Sequence, residues 1–233
     1  MTSLRDIISS FNHLFFPHLC AGCGSDLLNK NELVCFRCMS QLPYTNFENI
    51  RNNRTEQIFQ GRIQIESAMS LLYFSKYSEV QNLMHQLKYK GQKQLGIFLG
   101  TLIGKAIQQA PHFQNIHGLI PLPLFPEKEK IRGYNQSELL CNGISEITSV
   151  PVLSNNIIRQ VHTSTQTRKH RRERWQNVEG IFHISDPETL INKHLLLVDD
   201  VITTGATLES CAINMKEIPG VTVSIATLAI ALH

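Results

Sequence analysis

Thirteen residues, "LLLVDDVITTGAT" from Leu195 to Thr207, constrain this chain more than any others. Four consecutive apolar residues, Leu195 to Val198, read as a short strand buried on both faces, the form taken by strands inside a parallel sheet. Two adjacent carboxylates, Asp199 and Asp200, follow at its mouth, and "VITTGAT" reads as a loop leading into the helix "TLESCAINMKEI", which Pro219 and Gly220 end. A strand, a turn and a helix in that order belong to α/β architecture.

The remaining pattern agrees. "IQIESAMSLLYF" alternates like a strand, with Ile63, Ile65, Ser67, Met69, Leu71 and Tyr73 on one face. "SEVQNLMHQLKYKG" repeats apolar groups at Val80, Leu83, Met84 and Leu87 as a helix stopped by Gly91, and "QLGIFLGTLIGKAIQQA" continues as a core helix up to Pro111. "HGLIPLPLFPEKEKIRGYNQSELLCNGISEI" reads as a buried strand, a loop full of Pro and charge, and a helix capped by Asn135 with Glu138. "NIIRQ", "VEGIFHI" and "VTVSIATLAIAL" read as further strands. The expected class is α/β with a mainly parallel sheet.

In open parallel sheets ligands bind beyond the carboxyl ends of strands, where a loop enters a helix. Turn and helix-start N–H groups make an anion cradle there, Gly205 permits close approach, and Thr203, Thr204 and Thr207 add hydroxyl donors, which suits a phosphate monoester. Carboxylates repel phosphate, so Asp199 and Asp200 face a part of the ligand rich in hydroxyl donors, such as the vicinal hydroxyls of ribose. The competing reading is a plain strand-to-helix turn in which the acids end the strand and a Thr caps the helix. The lysine-bearing G-x-x-x-x-G-K-[ST] phosphate loop does not occur.

Cys20, Cys23, Cys35 and Cys38 form C-x2-C-x11-C-x2-C, four thiolates in two tight turns that can surround one zinc tetrahedrally, with Gly22 or Gly24 relieving the turn. A complete cysteine shell leaves no open position, so such a metal is structural; redox-active or oxidised pairs are the alternatives. His13 and His18 read as surface residues, and Cys141 and Cys211 as small buried groups. The first sixty residues show little periodicity, which places a boundary near Arg62: residues 1–61 as an N-terminal helix and zinc module, 62–233 as the α/β domain.

With 22 basic and 19 acidic residues the net charge of +3 demands no polyanionic partner, so any nucleic-acid contact has to come from a cluster. "TRKHRRERW" supplies one, with Arg168, Lys169, Arg171, Arg172 and Arg174 beside Trp175: it reads as a solvated helix, as a mobile hood over ligand phosphates or as a track for single-stranded DNA. No window reaches the roughly 18 apolar residues that cross a bilayer. The N-terminus lacks the features of a secretory signal, so a cytoplasmic protein without membrane insertion is expected.

"LLLVDDVITTGAT" resembles the phosphoribosyl pyrophosphate (PRPP) signature of type I phosphoribosyltransferases. With "LKYKG", "IPLP" followed by "RGYNQSELL", the segment "TSTQTRKHRRERWQNVEGIF" and the double C-x2-C, the chain resembles the ComF family (ComF/GntX, amidophosphoribosyltransferase-like) along nearly its whole length. The resemblance implies a type I phosphoribosyltransferase fold behind a zinc module and an Mg-dependent transfer of phosphoribosyl to an acceptor. It implies that Asp199 and Asp200 hold the ribose hydroxyls and that the turn of Val201, Ile202, Thr203, Thr204, Gly205, Ala206 and Thr207 holds the 5-phosphate. Arg132, Gly133 and Tyr134 would lie near the pyrophosphate, and the segment from Thr165 to Arg172 would be the hood. It also implies an association with natural competence, hence single-stranded DNA or a protein of the competence machinery as partner. The alternative is a nucleic-acid-binding competence factor whose PRPP pocket senses rather than turns over.

Overall fold

The computed structural model describes residues 18–26, 28, 29, 32–159 and 181–231. The expected N-terminal helix and the hood, with Arg168, Lys169, Arg171 and Arg172, lie outside the described residues.

The elements follow chain order as α1 (Phe36–Ser40), α2 (Arg54–Phe59), β1 (Ala68–Phe74), α3 (Glu79–Tyr89), α4 (Lys93–Gln109), β2 (Gly118–Pro121), α5 (Pro126–Arg132), α6 (Gln136–Thr148), β3 (Ile157–Arg159), β4 (Phe182–Ile184), β5 (His194–Ile202), α7 (Ala206–Lys216) and β6 (Thr222–Ala231). Four strands make a parallel sheet in the order β1-β6-β5-β2, and β3 and β4 pair antiparallel on their own. Leu195 to Val198 are fully buried in the middle of that sheet, as an apolar run flanked on both faces by helices requires.

Neither edge is left bare. Residues 43–45 run antiparallel along β1, with Thr45 N–H donating to the Leu71 carbonyl at 3.0 Å and Tyr73 N–H to the Pro43 carbonyl at 2.9 Å. Val152 bridges in parallel to Leu119 on the outer side of β2. Both edges lose their free N–H and C=O rows this way.

Three local expectations change. The strand read from Ile63 begins at Ala68, and its two faces are both buried: Ala68, Met69, Ser70, Leu71 and Leu72 are each under 4% exposed, because α2, α3 and α4 pack against β1. Period-two alternation therefore misreads it. The "loop full of Pro and charge" holds α5, which Pro126 starts and Gly133 ends. Asn135 does cap α6, its side chain accepting from Ser137 N–H at 3.0 Å, but Glu138 turns away and accepts from Ser154 Oγ at 2.7 Å.

Helices α4 and α6 pack on one side of the sheet at unusually short range, and glycines are the reason. A Cβ on Gly143 would stand 1.9 Å from the Ile97 carbonyl oxygen, and one on Gly100 would stand 2.2 Å from that of Leu140. Gly96 and Gly104 meet Leu139 and Ile147 in the same seam. Gly100 and Gly143 face backbone, which cannot rotate away, so a methyl group has to push the helices apart. Gly143→Ala is expected to lower unfolding free energy by about 1–3 kcal/mol or more in urea titration, whereas Asn142→Ala, exposed on the same helix, should stay within about 0.5 kcal/mol.

Candidate functional site

From β2 the chain crosses through α6 to the Val152 segment on one side, while β5 lies on the other. The order therefore reverses between β2 and β5, and the crevice beyond their carboxyl ends is where ligands bind in such sheets. Asp199 and Asp200 stand there. Strand β5 extends further than the sequence suggests: Val201 and Ile202 still pair with Ala229 and Ile230, Ile202 is buried, and the turn proper is Thr203 to Gly205.

Asp200 is 7% exposed and its Oδ2 is 2.9 Å from the Lys88 Nζ at the end of α3. Asp199 accepts from Ser137 Oγ at 3.0 Å and from the backbone N–H of Asp200 at 2.8 Å. Burial and the Asp200 charge push the Asp199 carboxyl up from 3.8 to about 7, against the lowering effect of these hydrogen bonds and of Lys88. Lys88 and Ser137 belong to the site but were not singled out from the sequence. The stretches that contain them, "LKYKG" and "RGYNQSELL", were the available signal.

The turn has the form of an anion cradle. Gly205 adopts φ +73° as the residue before α7, and no side chain caps that helix among the described residues, so its first N–H groups are left without helical partners. Thr203, Thr204 and Ala206 are exposed and Thr207 is half-buried. The turn is held from behind by the segment that precedes β1. The Arg62 guanidinium donates to the carbonyls of Thr204 at 2.8 Å and Ile58 at 3.1 Å and pairs with Glu209. A Cβ on Gly205 would lie 2.6 Å from Ile58. Glycine is thus required twice at this position, by its backbone angle and by its neighbour.

The Arg132 to Tyr134 stretch ends α5. Arg132 donates to Gln136 Oε1 at 2.7 Å and lies over the Tyr89 ring. Gly133 closes the helix at φ +78°. Tyr134 is buried, with its hydroxyl donating to the Leu87 carbonyl of α3 at 2.6 Å and Lys93 of α4 over its ring, so it does not stand free.

The four sulfurs of Cys20, Cys23, Cys35 and Cys38 lie within 4.8 Å of one another, with Cys23 exposed and the others buried. Tetrahedral zinc at about 2.3 Å from each sulfur separates the sulfurs by roughly 3.8 Å, and Cys23 and Cys35 are 3.8 Å apart. Burial pushes the Cys20 thiol up, but backbone N–H groups of Cys35, Cys23 and Gly22 outweigh it and hold it at about 6, which favours a thiolate there, while burial and the neighbouring cysteines push Cys38 up. The chemistry of the donor set suits zinc. A cavity of about 850 Å³ lies between this cluster and the α3–α4 turn, away from the acid pair.

The raised Asp199 carboxyl has a signed consequence. Its native value lies above the ordinary 3.8, so the folded chain binds that proton more tightly than the unfolded one. The associated stability is full below pH 4 and declines as pH rises through 7. Asp199→Asn is expected to flatten the melting temperature between pH 4 and 7.5, with an upper bound of roughly 4 kcal/mol on the effect; an unchanged slope would place the titration elsewhere.

No protein-family model matches the chain. Competence protein F of Haemophilus influenzae is 27% identical over 211 residues, covering 88% of this chain and 87% of that protein. DNA utilization protein YhgH of Escherichia coli is 30% identical over 136 residues, and the match spans 58% of its length. Competence protein ComFC of Bacillus subtilis is 32% identical over 94 residues. Among solved structures, purine phosphoribosyltransferase from Pyrococcus horikoshii is 19% identical with a TM-score of 0.36, covering 62% of this chain and 76% of that one. Hypoxanthine phosphoribosyl transferase of Trypanosoma cruzi is 14% identical with a TM-score of 0.38, covering 59% and 74%. Likeness at that level does not bear on the chemistry of the site. The sequence relatives do bear on descent: the chain is a homologue of the ComF-type competence proteins.

Proposed function

We propose that the chain binds PRPP and, with magnesium, transfers its phosphoribosyl group to an acceptor. The observation that carries this reading is one juxtaposition: two carboxylates, both held by named partners, sit at the switch point immediately before an uncapped helix start. Phosphate takes the N–H groups of residues 205–207 and the Thr203, Thr204 and Thr207 hydroxyls. Asp199 and Asp200 accept from the ribose hydroxyls, charge-assisted bonds being about twice as strong as neutral ones. Lys88 supplies positive charge beside them, and Arg132 is assigned to the pyrophosphate. Magnesium, suited to such carboxylate oxygens, supplies neutralisation of the leaving pyrophosphate. The hood residues Arg168, Lys169, Arg171 and Arg172 close over the phosphates in this reading.

We assign residues 62–233 to the phosphoribosyl site and residues 1–61 to the module in which Cys20, Cys23, Cys35 and Cys38 hold a structural zinc. A second reading has one observation in its favour: Tyr134, the aromatic residue nearest Arg132 in sequence, spends its hydroxyl on Leu87 and is buried, so it is not free to stack on an acceptor ring. The relatives carry competence and DNA-utilization names. In that reading the pocket senses PRPP in a factor that handles single-stranded DNA and meets the competence machinery.

Calorimetry with PRPP and magnesium is expected to show one site, weakened at least about tenfold by Asp200→Asn, with pyrophosphate released when the acceptor is supplied. Binding without release under any acceptor favours the sensor, and no binding removes both readings. Protein purified under reducing conditions is expected to carry one zinc per chain. Cys38→Ser should lower that stoichiometry and the melting temperature together; metal-free wild type with an unchanged melting curve would exclude a structural zinc.

A further inference from the structure

Resting on the PRPP reading, we infer that Arg159 binds a phosphoryl oxygen of the ligand's pyrophosphate. It is the last residue of β3, and its guanidinium carbon lies 3.7 Å from the Phe125 ring centre and 5.3 Å from that of Phe182. Two rings of that kind hold a planar cation by its face and leave its donors in the edge.

Those donors are unspent. The Arg159 Nε is buried and has no hydrogen-bond partner, and among the described residues no carboxylate lies within 4.0 Å of the guanidinium. A buried donor left unmade costs about 1–3 kcal/mol, so an arginine in this state calls for an acceptor from outside the chain. Arg132 differs: it already donates to Gln136 Oε1 at 2.7 Å.

The position suits the leaving group. Arg159 lines a cavity of about 150 Å³ with Pro121, Asn135 and Glu138, at the carboxyl end of β2 and thus on the β2 side of the switch point. Glu129 also lines it, but Glu138 is engaged by Ser154 and neither acid pairs with the guanidinium. Burial pulls the Arg159 pKa down and the charge of Asp199 pushes it up. A pyrophosphate oxygen on Arg159 would meet a guanidinium packed against aromatic rings, where a charge-assisted bond is strong. The bond supplies positive charge where negative charge grows as the leaving group departs.

The test compares wild type, Arg159→Gln and Arg159→Lys by calorimetry with magnesium and three ligands: PRPP, inorganic pyrophosphate and ribose 5-phosphate. Arg159→Gln is expected to weaken PRPP and pyrophosphate roughly 10- to 100-fold and to leave ribose 5-phosphate within about twofold. Arg159→Lys keeps the charge without the planar fork and should fall between. Equal loss of all three ligands, or unchanged PRPP affinity in both variants, overturns the assignment. If Arg159→Gln fails to fold by melting curve, Arg159→Lys decides alone, a selective loss supporting the role and none refuting it. Failure of the PRPP reading looks different: wild type then binds neither PRPP nor ribose 5-phosphate, and the Arg159 assignment falls with it.

Discussion

The fold is organised around a problem of like charge. Asp199 and Asp200 follow a buried run on the central strands, and two carboxylates in such surroundings repel each other and resist desolvation. Three elements converge to hold them. Strand β5 supplies the acids, α3 brings Lys88 within 2.9 Å of Asp200, and α6 brings Ser137 within 3.0 Å of Asp199. The compensation is incomplete, since Asp199 stays well above the ordinary carboxylate range. A half-buried acid kept near its titration point is a feature of working sites more than of scaffolds.

The segment before β1 and the cysteine knuckle both reach this site through the chain's own contacts. Ile58, Phe59 and Arg62 back the turn that follows the acids, and Asn53 ties the same segment to the core by donating to the carbonyls of Phe47, Ile50 and Ala68. The knuckle is joined to α3, because Asn82 Nδ2 donates to the Gly22 carbonyl at 2.7 Å. Lys88 lies on that helix. One helix thus carries both the contact to the cysteine turns and the lysine that pairs with Asp200.

Much of this was legible because periodicity and turn chemistry act locally. The stripe of Val80, Leu83, Met84 and Leu87 is the buried face of α3, and the apolar run before Asp199 is the buried strand it looked like. What escaped depends on neighbours distant in sequence. Ile63 and Ile65 alternate with polar residues, yet the strand starts at Ala68, where burial on both faces erases alternation. Arg62 looked like a boundary residue, and only the fold brings it to Thr204 and Glu209. Arg159 sits in a three-residue strand, and only the fold brings its guanidinium to the Phe125 and Phe182 rings.

The glycine seam completes the argument, since it fixes where Ser137 stands. Ser137 opens α6, and α6 is set against α4 by backbone contact at Gly100 and Gly143, with no side chain between to absorb error. Gly-rich helices cost about 1 kcal/mol per residue relative to Ala, so this apposition has to return more than it loses. Its return is rigidity. A helix seated on backbone moves as a unit with its neighbour, and a shift of 1 Å would carry the Ser137 hydroxyl out of hydrogen-bond range of Asp199. The seam glycines of α4 and α6 are what hold the hydroxyl on the acid.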